Sequence, residues 1–342
     1  MIKYCSQCGS QVRQGAVYCV SCGAILSSDA PTRPISLFPF GANAIASSFA
    51  RREASFEKEN VKIVRVSCKV LNVEVLSSER EKIQITWDES ASWSVSVQQR
   101  GDCLQINEQS IWGLHNIQDF FTLHQRKDLR IELPNDYCGT FILENETGSI
   151  SVSNLETTGR IEIKTTIGHI KGRNLKTKND FCADTSGGTL NITNIDAERT
   201  VRLSSMTLGM QADKIRAGAG FSATGTNGRC QLKDIESAEY VSITGNVGQV
   251  ILDSIRAAKI DVGLSGSGLV ECKKIFAENA ITITSSTGAI TCGIDDEAAN
   301  YTAHCRSVHG RCSLPEVSGN GPKLLRISTS IGNIDVQFKD VG

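Results

Sequence analysis

Four cysteines near the N-terminus carry the most specific chemistry in the chain. In MIKYCSQCGSQVRQGAVYCVSCGAILSS, Cys5-x2-Cys8-Gly9 and Cys19-x2-Cys22-Gly23 form two knuckles ten residues apart. Such spacing brings four thiolates around one tetrahedral ion, and the glycine after each pair relieves the tight turn. Zinc is the default ion for four sulfurs; a rubredoxin-like iron site uses similar knuckles but sits in a larger aromatic core. With every position filled by protein, none is left for substrate, so Cys5, Cys8, Cys19 and Cys22 predict one structural Zn2+. So short a segment buries too little surface to fold alone, and metal binding would supply its folding energy. Lys3 and Arg13 are its only basic residues, which gives a nucleic-acid role no support.

The rest of the chain is organised by a period near 20. Gly148, Gly168, Gly188, Gly209, Gly228, Gly248, Gly268, Gly288, Gly310 and Gly332 recur at spacings of 19 to 22, each with an apolar residue two positions on, or one on after Gly209. Layered globular folds impose no such period, whereas a solenoid returns each coil to the same corner before stacking it on the last. Two alternating apolar pairs follow each glycine, as in Ile150/Val152 then Ile161/Ile163 and Val270/Cys272 then Ile281/Ile283, the period-two signature of strands. Leu155, Leu175, Ile195, Ile215, Ile235, Ile255 and Ile275 keep step between them, too isolated for strands and suited to plugging a bend. Asn154, Asn174, Asn194 and Asp234 stand before four of these, where short polar side chains satisfy turn backbone. Coils this short leave no room for a helix. The expected fold is therefore all-β, a parallel β-helix (β-solenoid) over residues 135–342, with stacked positions 20 apart. Ten coils about 4.8 Å apart would make a rod on the order of 50 Å long.

That register tests for an active site. Polysaccharide lyases and hydrolases on a β-helix need carboxylates on one face of adjacent coils. At the 20-residue offset, however, Asp184 meets Ser204, Asp213 meets Lys233, Asp253 meets Lys273 and Asp261 meets Ile281. Asp295 and Asp296 adjoin, but Ile275 and Phe276 precede them in the stack. His304, Cys305, His309 and Cys312 have a spacing open to a metal, against ordinary turn and core roles. The column Asn145, Thr165, Thr185, Ser205, Gly225, Gly245, Ser265 and Ser285 offers either hydroxyls to a glycan or a polar ladder stacked on itself. No row of aromatics for sugar stacking accompanies it.

Composition narrows the class further. The 36 basic and 37 acidic residues leave a formal net charge of -1, which lacks the electrostatic footprint of a nucleic-acid or membrane binder. Nine of the 13 cysteines lie outside the N-terminal cluster, an odd number without pairwise spacing, and Cys230, Cys272, Cys292 and Cys312 fall at inward strand positions. With no signal peptide and no apolar run of 18 residues, these thiols predict a reducing, cytoplasmic setting without a transmembrane span.

Residues 1–28 resemble the small zinc-ribbon modules of many bacterial proteins, which implies zinc binding and protein contact. Residues 29–55, with Pro31, Pro34, Pro39 and Gly41, read as a linker; the uncharged stretch around 35–50 could alternatively form a membrane-surface or partner patch. From 56 to 134 the pattern alternates without the glycines, as in Val73/Val75, Ile83/Ile85 and Trp93/Val95/Val97, and is expected to cap the solenoid. Trp112, Phe120 and Phe121 interrupt it, either covering the core or forming a recognition loop. The stretch LRIELPNDYCGTFILENETGSISVSNLETTGRIEI, an alternating strand followed by repeated glycine-led coils, resembles the adhesin-like bacterial family DUF4097 over about 60–340. That resemblance implies a β-helix-like architecture and brings no catalytic residues. The expected function is a non-enzymatic structural or protein-interaction scaffold, with carbohydrate-binding or adhesin-like solenoid and then polysaccharide-active enzyme as the alternatives. Self-association through uncovered solenoid ends is a further expectation, and Lys339 and Asp340 are expected to guard the final strand's edge.

Overall fold

A computed structural model describes residues 3–4, 11–12, 50–89, 93–110, 128–207 and 209–339. The chain divides into two units, Met1–Ala46 and Ser47–Gly342. In the first, Lys3–Tyr4 pairs antiparallel with Gln11–Val12, so the Cys5–Cys8 knuckle falls between two paired strands in the sequence.

The second unit is the β-solenoid. Its strands pair in parallel at a constant offset of 20, Phe141 to Ile161 to Phe181 to Val201 to Phe221 to Val241 along one side. Along another, Ile150, Ile170, Leu190, Met210, Cys230 and Val250 stand in line. Alternation turns one residue in two inward, and all six of the first column are fully buried. Phenylalanine and a β-branched residue alternate along that column, so large and smaller side chains interleave between levels.

Two devices bend each coil. Asn154, Asn174, Asn194, Lys214, Asp234, Ser254 and Lys274 all have φ between 52° and 58°, the left-handed conformation. This reversal aims the next residue inward, which is why Leu155 through Ile275 are buried. Those plugs are not isolated as expected, since strands such as Ile170–Thr177 and Thr189–Ala197 run straight through the bend. Asparagine tolerates this conformation best among residues with a Cβ, and its amides stack here: Asn174 Nδ2 donates to Asn154 Oδ1 at 2.8 Å and Asn194 Nδ2 to Asn174 Oδ1 at 2.9 Å. At the other corner, a Cβ on Gly168 would overlap the carbonyl of Gly148, and one on Gly248 that of Gly228. The backbones approach too closely for any side chain.

Both ends depart from simple order. The coil nearest the N-terminus, with strands Ile63–Cys68 and Asn72–Ser78, lies between the 140–153 strands and the later strands Cys103–Ser110 and Asp128–Pro134. Antiparallel strands then close that end: Trp93–Arg100 on Cys103–Ser110, and Ala50–Glu57 on Lys82–Glu89, itself on Asp128–Pro134. At the C-terminal end, the last coil, with strands Lys323–Ile331 and Ile334–Phe338, is inserted between the 281–294 coil and the strand Tyr301–His309. The glycine column accordingly runs Gly288, Gly332, Gly310. The short strand Val317–Ser318 pairs antiparallel with Ala303 and His304.

Several expectations are corrected. The strand Ile334–Phe338 is internal, with Cys312 bridging Ile334 on its far side, so no final edge exists for Lys339 to guard; Asp340 lies outside the described residues. The linker expected to 55 gives way to a strand at Ala50, because Ala54 and Phe56 face the core. Ile260, Val262 and Leu264 are the buried set of their coil, one residue earlier than a strict offset from Val241, which turns Asp261 away from the Ile281 position. The segment around 35–49 and Trp112, Phe120 and Phe121 lie outside the described residues.

Lys214→Asn should stabilise the rod by about 0.5–1 kcal/mol in urea unfolding, by easing the left-handed bend and extending the asparagine stack. Gly248→Ala should cost more than about 2 kcal/mol. Unchanged unfolding midpoints for both variants would show that neither bend constrains the coil.

Candidate functional site

Cys5, Cys8, Cys19 and Cys22 lie outside the described residues. The second cysteine-histidine set is taken apart by strand alternation. On Tyr301–His309, Cys305 is buried while His304 points to the opposite face, and His309 is exposed at the corner. Among the described residues no three His, Cys, Asp or Glu groups come together as a metal site. Burial and the neighbouring Cys312 push the Cys305 thiol up to about 12, and burial pushes Cys230 up to about 12. Such thiols stay protonated at neutral pH and are poor nucleophiles.

The polar column is likewise internal. Asn145, Thr165, Thr185, Ser205 and Ser285 are buried, so they offer nothing to a glycan. Some members of the column serve the glycine corner: the Thr185 hydroxyl donates to the Gly168 carbonyl at 3.1 Å, Ser205 to Gly188 at 3.3 Å and Thr329, opposite Ser285, to Gly288 at 3.3 Å, whereas the Thr165 and Ser285 hydroxyls are buried without a partner. Ser265 is exposed, because the shifted coil puts Leu264 into the interior opposite Gly245.

Charge along the rod alternates by level. Glu156, Lys176, Asp196, Arg216, Glu236 and Arg256 form one column of strictly alternating sign. Lys176 reaches Glu156 at 3.1 Å and Arg216 reaches Glu236 at 3.7 Å. Glu144, Lys164 and Asp184 repeat the pattern, as do Asp213, Lys233 and Asp253. Among the described residues no carboxylate stands opposite another in the strand registers. Each exposed pair is worth little, but like charges at this separation would repel along the whole rod.

Asp295 and Asp296 belong to a knot of opposite charges at the C-terminal end. Asp295 accepts from Arg256 at 2.9 Å and lies 3.3 Å from Lys339. Asp296 accepts from Lys323 Nζ at 2.7 Å and from Asn300 Nδ2 at 2.7 Å. The Lys323 ammonium also lies over the Phe276 ring, 4.3 Å from its centroid. Burial alone would raise the Asp296 pKa; hydrogen bonds from Lys323, Asn300 and the Glu297 amide outweigh it and hold the carboxyl below its usual range. Both partners are mostly buried, 12% exposed at Asp296 and 17% at Lys323. An acid held this way is a fastener and not a proton donor. The sequence carried no sign of this pairing, because Lys323 reaches Asp296 only through the inserted last coil.

These features define a β-solenoid with charged columns of alternating sign, preceded in the sequence by a short cysteine-rich segment. The chain belongs to the Toastrack DUF4097 family, whose model matches residues 62–337. A zinc-ribbon domain model matches residues 4–26. No functionally curated protein matches the chain. Among solved structures it is similar to a candidate cell adhesion protein from Clostridium sporogenes ATCC 15579, at 9% identity and TM-score 0.28, covering 85% of this chain and 100% of that one. It is also similar to a candidate adhesin from Bacteroides fragilis NCTC 9343, at 12% identity and TM-score 0.36, covering 85% and 98%. No helix among the described residues is long and apolar enough to cross a membrane.

Because its pKa is lowered in the fold, Asp296 contributes stability above the unfolded carboxylate pKa near 3.9, and that contribution is lost as pH falls through the lower folded value. Asp296→Asn should therefore cost about 1–3 kcal/mol at pH 7 and progressively less below about pH 4, as read by urea unfolding at each pH. A penalty independent of pH would assign the residue a packing role alone.

Proposed function

We propose that the chain is a non-enzymatic protein-interaction scaffold: a rod that displays a short module built around one structural Zn2+. Cys5, Cys8, Cys19 and Cys22 are its ligands in this reading. The zinc-ribbon match over residues 4–26 supports it, as does the chemistry of four thiolates in two knuckles. The observation that carries the scaffold reading is the alternating-sign columns, in which each carboxylate level lies opposite a cation level and no two carboxylates of the described coils stand opposite one another. We also propose a cytoplasmic location. The nine unbridged thiols of the second unit support a reducing environment.

Metal analysis of the purified full chain should find one zinc per chain. Cys5→Ser or Cys22→Ser should release it while the β-sheet circular dichroism and the rod's unfolding midpoint stay unchanged. Loss of the rod together with the metal would overturn the modular reading, and iron in place of zinc would overturn the ion.

A further inference from the structure

The outermost coil at the C-terminal end carries two thiols where other coils carry hydrocarbon. Two inward residues seven positions apart flank the glycine corner of a coil, as Ile163 and Ile170, Ile283 and Ile290, and Ile327 and Ile334 do, and all six are buried. Cys305 continues the first of these columns, opposite Ile327, and Cys312 continues the second, bridging Ile334. Among the described coils this one alone has cysteine at both positions. The two side chains meet beside Gly310: burial is the largest cause of the raised Cys305 pKa, and the next is its contact with the Cys312 thiol. Their access to solvent differs. Cys305 is 3% exposed, behind a segment whose Glu316 carbonyl accepts from the Cys305 amide at 3.1 Å. Cys312 is half-buried in the stretch 311–320, most of which is exposed.

We propose that Cys305 and Cys312 form a reversible thiol-oxidation site, a dithiol that hydrogen peroxide closes to a disulfide and a low-molecular-weight thiol reopens. In the first step the Cys312 sulfur attacks one peroxide oxygen; the O–O bond breaks, Cys312 becomes a sulfenic acid, and the departing hydroxide leaves as water with the thiol proton. The Cys305 sulfur then attacks the sulfenic sulfur, the S–S bond forms, and a second water carries away the hydroxyl and the Cys305 proton. Two thiols are oxidised and one peroxide is reduced to two waters. Because burial keeps the Cys305 thiol protonated, the second step is slow, on the order of minutes to hours. Cys272 and Cys292 make a comparison within the same molecule. They stand opposite each other on neighbouring coils with their thiols in contact, but are 1% and 0% exposed, and the strand Ile334–Phe338 stacks over Cys292. An oxidant reaches the outer pair and not the inner one. Closure would act on the coil that needs it: Tyr301–His309 is paired on its outer side only at Ala303 and His304 among the described residues. A bond from Cys305 to Cys312 closes an eight-residue loop and ties this strand to its own return segment.

The test treats the zinc-loaded full chain with a small excess of hydrogen peroxide, blocks the remaining thiols by alkylation, and maps every cysteine by mass spectrometry after trypsin and chymotrypsin digestion. The Cys305 and Cys312 peptides should be recovered joined, short of two hydrogens, and should separate after dithiothreitol, while Cys272 and Cys292 stay reduced. Oxidation of the exposed Cys138 marks a sufficient dose of peroxide. The thermal unfolding midpoint should rise by roughly 3–6 °C on closure and return on reduction. Cys312→Ser should abolish both the linkage and the rise; should that variant fail to fold, the wild-type map decides alone. Cys305 and Cys312 remaining reduced once Cys138 is oxidised, a Cys272–Cys292 bond forming first, or a rise that persists in Cys312→Ser would each overturn the proposal. A linkage that leaves the midpoint unchanged would overturn the locking role.

Discussion

Everything in the rod follows from one constraint: a coil of 20 residues must come back to within one strand spacing of the coil beneath it. Each residue then has its closest inter-coil neighbours 20 positions away, and identical positions are forced into contact about 4.8 Å apart. Apolar columns gain from this by stacking Phe141, Ile161 and Phe181 into a continuous core. Charged columns would lose by it unless the sign changes at each level, and from Glu156 to Arg256 it does. Glycine at one corner and a left-handed residue at another are the backbone's answer to the same closure. A globular fold can solve its turns one at a time. A solenoid must solve each turn identically ten times, since an error at one level is handed to the next.

The same constraint makes the ends a problem, and the chain solves it with its own termini. A solenoid stacked strictly in sequence order would leave its first and last coils as bare edges. Here both are drawn inward: the 63–78 coil lies between 140–153 and 103–134, and the 323–338 coil between 281–294 and 301–312. The segments displaced to the outside carry the antiparallel closures. The Asp296–Lys323 pair has its meaning in this arrangement. Asp296 precedes the terminal coil and Lys323 opens the inserted one, so their bond at 2.7 Å ties together two segments that sequence order would have stacked the other way. A mostly buried ion pair is a weak source of net stability but a strong discriminator between registers, which is what an out-of-order insertion requires.

Whatever repeats was legible in the sequence, and whatever happens once was not. The glycine column, the strand pairs and the buried plugs recur often enough that their offsets alone reveal the stack. Asn154, Asn174, Asn194 and Asp234 stood out at the bend because their side chains are familiar there. Lys214, Ser254 and Lys274 adopt the same left-handed φ without any such signature, since the stack imposes it on whatever residue occupies that level. The Thr165–Ser285 column was visible, but its burial was not: period-two alternation places a residue on a face without saying whether a turn carries the chain inward there. Coil order at the ends left no trace, because nearest-offset counting assumes the stacking it sets out to find. As for the four N-terminal cysteines, the zinc-ribbon match covers the residues that their spacing had marked.

Much of the chemistry of the rod is consumed internally. Glu156 and Glu236 face cations, the Thr185 and Ser205 hydroxyls face glycine carbonyls, and thiols such as Cys230 are held protonated by burial. An enzyme keeps some groups unmatched, because an acid or base already satisfied by a neighbour has little left to give a substrate.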